Sequence, residues 1–198
     1  MYRHFFKRFL DIVVSLVALP FVLLVIICVA PFIYFTDRGP VFYNAKRAGK
    51  NGKPFKMFKF RSMYVNSPDL RNADGSTFNS NEDPRVTPVG RFLRKTSIDE
   101  IPQLLNVLIG DMSFVGPRPI LASKSYTDYD EVLRKRSLVR PGITGYAQAY
   151  FRNSISQQKK YELDCYYVTH LSFLLDIRIL YQTVISVVRE DNVFVENK

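Results

Sequence analysis

Asp99 and Glu100 are the residues of this chain best placed to do chemistry. They are adjacent carboxylates in "SIDEIPQLLNVL", residues 97–108, at the mouth of an apolar helical run. Arg91, Arg94 and Lys95 precede them closely, and Arg118 follows. Two readings compete. Ser97 and Glu100 fit a capping box, in which a serine and a glutamate satisfy the free amides of a helix start. Acidic residues in a first turn also suit the helix dipole. That reading leaves Asp99 without a task, because one carboxylate completes the box. Pro102 fits a first turn best when Asp99 is the N-cap, so the register stays open. In either register a carboxylate sits beside amide donors that attract phosphate. The second reading is a reactive centre.

The overall charge narrows the partners. The chain has 198 residues, 28 Lys and Arg against 18 Asp and Glu, and a net charge of +10. That length makes one domain with a real core. The charge points to nucleic acid, anionic lipid or a phosphorylated substrate. No nucleic-acid-binding module is recognisable, so no nucleic-acid partner is expected. Cys28 and Cys165 make no metal or disulfide pattern, and His4 and His170 lack partners at metal-ligand spacing.

Further basic residues are candidates for anion binding. Arg118 lies between Pro117 and Pro119, which restrict its backbone and lower the entropy lost on binding a diphosphate. Arg140 opens "RPGITG", where two glycines and Thr144 resemble a phosphate-cradling loop. Lys53, Lys56, Lys59 and Arg61 share an aromatic-interleaved strand face, with Lys53 and Lys56 read as solvated. Arg91 and Arg152, the latter in "GYAQAYFRN", join Lys59, Arg61, Arg118, Arg140 and Thr144 to complete the candidate substrate-binding set.

These residues need a scaffold and a surface. Residues 12–35 carry no charge, and about 20 such residues cross a bilayer. Arg3, Lys7 and Arg8 precede the run, while Arg38, Lys46, Arg47 and Lys50 follow it. Basic flanks prefer the cytoplasm, so both ends ask for the same side. Pro20 removes a backbone donor near the middle and favours a bend. A re-entrant membrane hairpin over residues 1–38 satisfies both observations; a kinked span is the competitor. Residues 39–198 read as a mostly helical α+β cytoplasmic domain. It should hold a hairpin of strands 40–43 and 55–60 turned at Asn51 and Gly52, and a surface loop over 64–88. A helix from the carboxylate pair should end at Gly110, with two more over 154–170 and 172–190. The last is apolar nearly all round and either packs on the core or lies along a membrane surface as an amphipathic helix.

Taken together, "KRFLD", "FKFRSM", "SIDEIPQLLNVLIGDMSFVGPRP", "RPGITGYAQ" and "YELDCYYVTHLSFLLDIRIL" resemble the bacterial sugar transferase family over nearly the whole chain. More narrowly they are similar to its small monotopic phosphoglycosyl transferases. The resemblance implies transfer of a sugar 1-phosphate from a UDP-sugar to polyprenyl (undecaprenyl) phosphate, with release of UMP. It implies an Asp-Glu dyad at Asp99 and Glu100, with Asp99 forming a covalent phosphosugar intermediate. It also implies Mg²⁺ held by these carboxylates, and a place on the cytoplasmic face of a bacterial inner membrane, upstream of other glycosyltransferases. Hard oxygen ligands plus substrate phosphates suit that ion. One departure stands out: Leu19 precedes Pro20 where the family has serine, and Ser15, a turn earlier, is expected to bond further back along the helix. The rival readings are a basic membrane-anchored binding module, for which Asp99 is dispensable, and a two-metal phosphodiesterase, which needs more carboxylates.

Overall fold

The computed structural model describes residues 1–70, 78, 80, 83–123, 125–152 and 154–189, with His4 described in its backbone only. The middle of the expected 64–88 loop, and Glu190 at the end of the last expected helix, lie outside these residues.

After one π-helical turn, Tyr2–Phe6, helix α1 runs without interruption over Lys7–Asp37. The expected break at Pro20 does not occur. Pro20 and Pro31 are both exposed, and losing one amide at each does not end a helix of 31 residues. The inward face repeats at helical spacing. Asp11, Ser15, Val22 and Ile33 are buried, and Ala18, Val25, Ile26 and Val29 are half-buried between them. Val13, Val17, Phe21, Leu24, Ile27 and Phe35 face outward and exposed. The Ser15 hydroxyl, expected to bond back along the helix, has no hydrogen-bond partner in its buried position. It is the one helix long and apolar enough to cross a membrane among the described residues.

Both ends of α1 are fastened to the same body. Near its start, Lys7 pairs with Asp176 at 2.6 Å, and Asp11 accepts from the Ser113 hydroxyl and the Phe114 amide. At its far end Ile33 joins a core of Phe60 and Leu93, and Asp37 receives both terminal nitrogens of Arg61 at 2.6 Å. Residues 11 and 33 are roughly 33 Å apart along an ideal helix axis. One face therefore packs on the domain along the whole length, and the opposite face remains apolar and bare.

Strands β1 (Ala45–Ala48) and β2 (Pro54–Met57) form the antiparallel hairpin, with Lys46 opposite Lys56 and Arg47 opposite Phe55. Its turn uses Asn51 and Gly52, both at positive φ, as expected. The first strand begins later than expected; of the 40–43 stretch, Phe42 makes an isolated bridge to Phe60. Helix α2 (Pro88–Lys95) was not anticipated, although Thr87 caps it through the Gly90 amide and Pro88 takes its first position. Next come a 3₁₀ turn over Ile98–Glu100 and helix α3 (Gln103–Ile109), which Gly110 ends at φ 99°. Strand β3 (Ser113–Val115) pairs in parallel with β4 (Gly142–Thr144), and α4 (Glu131–Arg136) lies between them in sequence. The chain continues through α5 (Tyr146–Phe151), α6 (Gln157–His170) and α7 (Phe173–Val188), the last two capped by Ser156 and Ser172.

Asn106 ties the hairpin to α3. Fully buried, it accepts from the Phe58 amide at 2.8 Å and donates to the Lys56 carbonyl at 2.7 Å. This side chain stands in for a strand neighbour and satisfies the backbone where β2 ends. It thereby fixes the backbone immediately before Lys59.

Candidate active site

The carboxylate pair is presented by a strained corner, not by a capping box. Ser97 has φ 58° and ψ 14°, and its hydroxyl caps nothing. An N-cap needs extended backbone, so the left-handed conformation rules the box out. This residue joins α2 to the 3₁₀ turn that carries the two carboxylates. Asp99 turns inward and is 3% exposed; the Glu100 side chain is 21% exposed. The Phe60 amide donates to the Asp99 carbonyl at 3.0 Å and locks the turn against the strand extension that carries Lys59.

Lys59 bridges the pair. Its ammonium lies 2.7 Å from Asp99 Oδ2 and 3.2 Å from Glu100 Oε1. Arg118 reaches the same Glu100 oxygen at 3.4 Å. Burial pushes the Asp99 carboxyl above the ordinary range and Glu100 adds to this, while Lys59 and Arg94 oppose. Burial acts the same way on Glu100, but Lys59 and Arg118 outweigh it and hold that carboxyl down at about 2. Two chemically similar groups are thus separated by environment. One is a shielded carboxylate on a single lysine; the other is firmly ionised and borders the cleft.

Glu100 and Arg118 line a cleft together with Arg47, Met57, Gln103, Pro119, Gly142 and Ile143. Behind Arg118, the buried Arg136 donates to the Arg118 carbonyl at 2.7 Å while paired with Asp164 at 2.6 Å. Pro117 and Pro119 restrict the same backbone, so the expected rigid presentation of Arg118 has both local and tertiary support.

The other expected anion-binding residues lie elsewhere. Arg61 is buried, and its fork is bound to Asp37 and the carbonyls of Pro40 and Met63. Arg140 donates to the Gly110 carbonyl at 2.8 Å, beside Arg8, which donates to the carbonyls of Val107 and Leu108. Both arginines cap the negative end of α3, opposite the end where Glu100 sits. Thr144 is buried with its hydroxyl 2.7 Å from that of Thr183. Arg91 is exposed on α2, and Arg152 closes α5 half-buried at φ 45°. Sequence reasoning missed Arg47 and Gln103 as cleft residues. For Arg47 one signal was present, since strand alternation sets it on the face of the hairpin that carries Met57.

No group of three or more His, Cys, Asp or Glu side chains converges among the described residues. Any divalent ion here must draw most of its ligands from phosphates and water, which is the manner of Mg²⁺.

The family model described as bacterial sugar transferase matches residues 2–190. The chain belongs to that family. It is 42% identical over 187 residues to an uncharacterized sugar transferase, EpsL, of Bacillus subtilis, covering 94% of this chain and 89% of that protein. It is 38% identical over 208 residues to the undecaprenyl-phosphate galactose phosphotransferase of Salmonella typhimurium, covering 96% of this chain and 42% of that one. With the UDP-glucose:undecaprenyl-phosphate glucose-1-phosphate transferase of Escherichia coli it shares 40% identity over 185 residues, covering 90% and 39%. The chain thus spans most of the Bacillus protein and about two-fifths of the other two. In this sugar transferase Asp99, Glu100, Lys59 and Arg118 fall inside the matched region.

Proposed function

We propose that the protein transfers a sugar 1-phosphate from a UDP-sugar to polyprenyl phosphate, undecaprenyl phosphate being the expected form, with release of UMP. The observation that carries this reading is the ion-paired constellation of Asp99, Glu100, Lys59 and Arg118, of which Glu100 and Arg118 line one cleft. The names of the two enterobacterial relatives support the acceptor and the transferred group.

Asp99 is the nucleophile in this mechanism. Its carboxylate oxygen bonds to the β-phosphorus, and the bond from that phosphorus to the bridging oxygen breaks. UMP leaves with the electron pair. The acceptor phosphate oxygen then attacks the same phosphorus and returns the Asp99 carboxylate, which makes the reaction ping-pong. Lys59 favours the charged form of Asp99 in spite of its burial. Arg118 adds a fork that matches phosphate oxygens. Glu100, ionised and open to the cleft, is the carboxylate to hold Mg²⁺, with Asp99 beside it. When bound, that ion offsets the negative charge that would otherwise repel the nucleophile.

The membrane geometry follows from α1. A helix that packs on its own domain from residue 11 to residue 33 carries both ends on one side of a bilayer, with its bare apolar face in lipid. We place that side in the cytoplasm, at the bacterial inner membrane, from the basic flanks. The exposed Phe173, Leu174, Ile177, Tyr181, Val184 and Val188 of α7 lie on the same membrane surface, since Tyr2 at the base of α1 stacks edge-on against Phe173. The product is a lipid-linked diphosphate sugar, a substrate for later glycosyltransferases.

The test is a half-reaction. Protein given a panel of UDP-sugars with Mg²⁺ and no lipid should release up to one equivalent of UMP with its matching donor. Intact-mass analysis should show a sugar-phosphate adduct on the peptide containing Asp99. Asp99→Asn should abolish adduct and turnover while the fold survives. Full turnover by that variant, or sequential kinetics without an adduct, would remove the basis of the mechanism and favour the binding-module reading.

A further inference from the structure

We propose that Arg47 is a second phosphate-binding arginine of the cleft, gripping the nucleotide α-phosphate that departs with UMP. The inference rests on the donor reading above and adds a residue to it.

Arg47 is held rigidly. On one edge β1 pairs with β2, which sets Arg47 opposite the buried Phe55 and on the same face as the cleft residue Met57. On the other edge the segment leaving Arg118 and Pro119 runs alongside as an irregular third strand. The Ala48 amide donates to the Ile120 carbonyl at 2.9 Å, the Ala122 amide donates to the Lys46 carbonyl at 3.4 Å, and Arg47 bridges to Leu121. The backbones that carry Arg47 and Arg118 therefore belong to one hydrogen-bonded frame. The spacing of these two backbones is fixed before any ligand arrives, which reduces the entropy lost on binding.

Charge assigns the task. On the Glu100 side, two cations, Lys59 and Arg118, already face two carboxylates, Asp99 and Glu100. Glu100 is the only acidic residue lining the cleft among the described residues, and Arg47 is the cation it has beyond Arg118. A nucleoside diphosphate-sugar brings two phosphate charges. Its β-phosphorus must lie against Asp99, on the side of Lys59, for the nucleophile to reach it. That leaves the α-phosphate for the second arginine of the cleft lining, Arg47. A guanidinium suits it through paired donors and gains strength as negative charge builds on the leaving phosphate. Arg118 then serves the β-phosphate beside Glu100, and Arg47 the leaving group.

The test uses UMP as the probe and the full chain in lipid nanodiscs. Arg47→Ala should weaken product inhibition by UMP and raise the KM for the donor, each by about tenfold, which corresponds to about 1.4 kcal/mol. The KM for polyprenyl phosphate should stay within about twofold, since the acceptor meets the β-phosphorus after UMP has gone. Arg47→Lys should restore part of the UMP affinity, because a point charge replaces the fork incompletely. Arg47→Gln keeps a polar stem of similar reach and carries the same measurement if the alanine variant does not fold. UMP inhibition unchanged from wild type in either folded variant overturns the assignment. A wild-type protein that is neither inhibited by UMP nor releases it overturns the donor reading itself, so the two failures are told apart.

Discussion

Replacing Lys59 with Met removes the one cation shared by both members of the dyad. At an effective dielectric near 20, charges 2.7 Å and 3.2 Å apart attract by about 6 and about 5 kcal/mol. Desolvation of the buried Asp99 and Lys59 cancels much of this. Removing one partner from such a buried pair leaves a net cost of about 3–5 kcal/mol, because an uncompensated charge stays behind. In a domain of this size each kcal/mol lowers Tm by roughly 2–4 °C, so a fall of about 6–20 °C is expected near neutral pH. The cost should depend on pH with a definite sign. Glu100 is held at about 2 in the wild type, so its contribution is complete above the ordinary glutamate range and is lost as pH falls toward 2. Without Lys59 the main force depressing both carboxyls is gone and burial raises them. Carboxyls raised in the folded state destabilise it at high pH and cease to do so as they protonate. The deficit of Lys59→Met relative to wild type should therefore be largest near pH 8 and shrink steadily toward pH 4. Thermal melting in nanodiscs across that range, alongside the UMP-release assay, measures both quantities. A deficit under about 1 kcal/mol, or one that does not change with pH, would refute the claim that Lys59 compensates a buried dyad.

Two further outcomes follow from arginines that the structure places away from the cleft. Arg140→Ala should lower stability by about 1 kcal/mol, as expected for a cation at a helix C-terminus, and leave kcat and donor KM within about threefold of wild type; a hundredfold loss in kcat/KM would return Arg140 to the substrate. Arg61→Met should cost about 3–5 kcal/mol by stranding Asp37, and should release the far end of α1. A cysteine at Arg38 should be shielded from an impermeant periplasmic label in intact cells with Arg61 present, and become labelled in part without it. Labelling of the Arg61-containing protein would exclude the arrangement in which both ends of α1 share the cytoplasmic side.

Short-range signals in the chain were decisive wherever the cause is itself short-range. Asn51 and Gly52 specify the hairpin turn because both can adopt positive φ, and Gly110 ends α3 for the same reason. Ser156 and Ser172 start the last two helices through their own hydroxyls. The uncharged run 12–35 is a membrane-length helix on composition alone. The adjacency of Asp99 and Glu100 was legible too, and the structure joins both to one lysine.

Tertiary structure decided what residue type leaves undetermined. An arginine reads the same in sequence whether its fork meets a phosphate, a carboxylate or a helix end. Only the fold sends Arg61 to Asp37, Arg140 to Gly110, and Arg118 and Arg47 to the cleft. Ser97 reads as a capping residue, but packing of α2 against the 3₁₀ turn forces it into the left-handed region, where it cannot cap. The course of α1 was hidden for a related reason. Its inner and outer faces are both apolar, so no periodic contrast marks the stripe that packs on the domain. That stripe exists because Phe60, Leu93 and their neighbours, distant in sequence, come together to receive it.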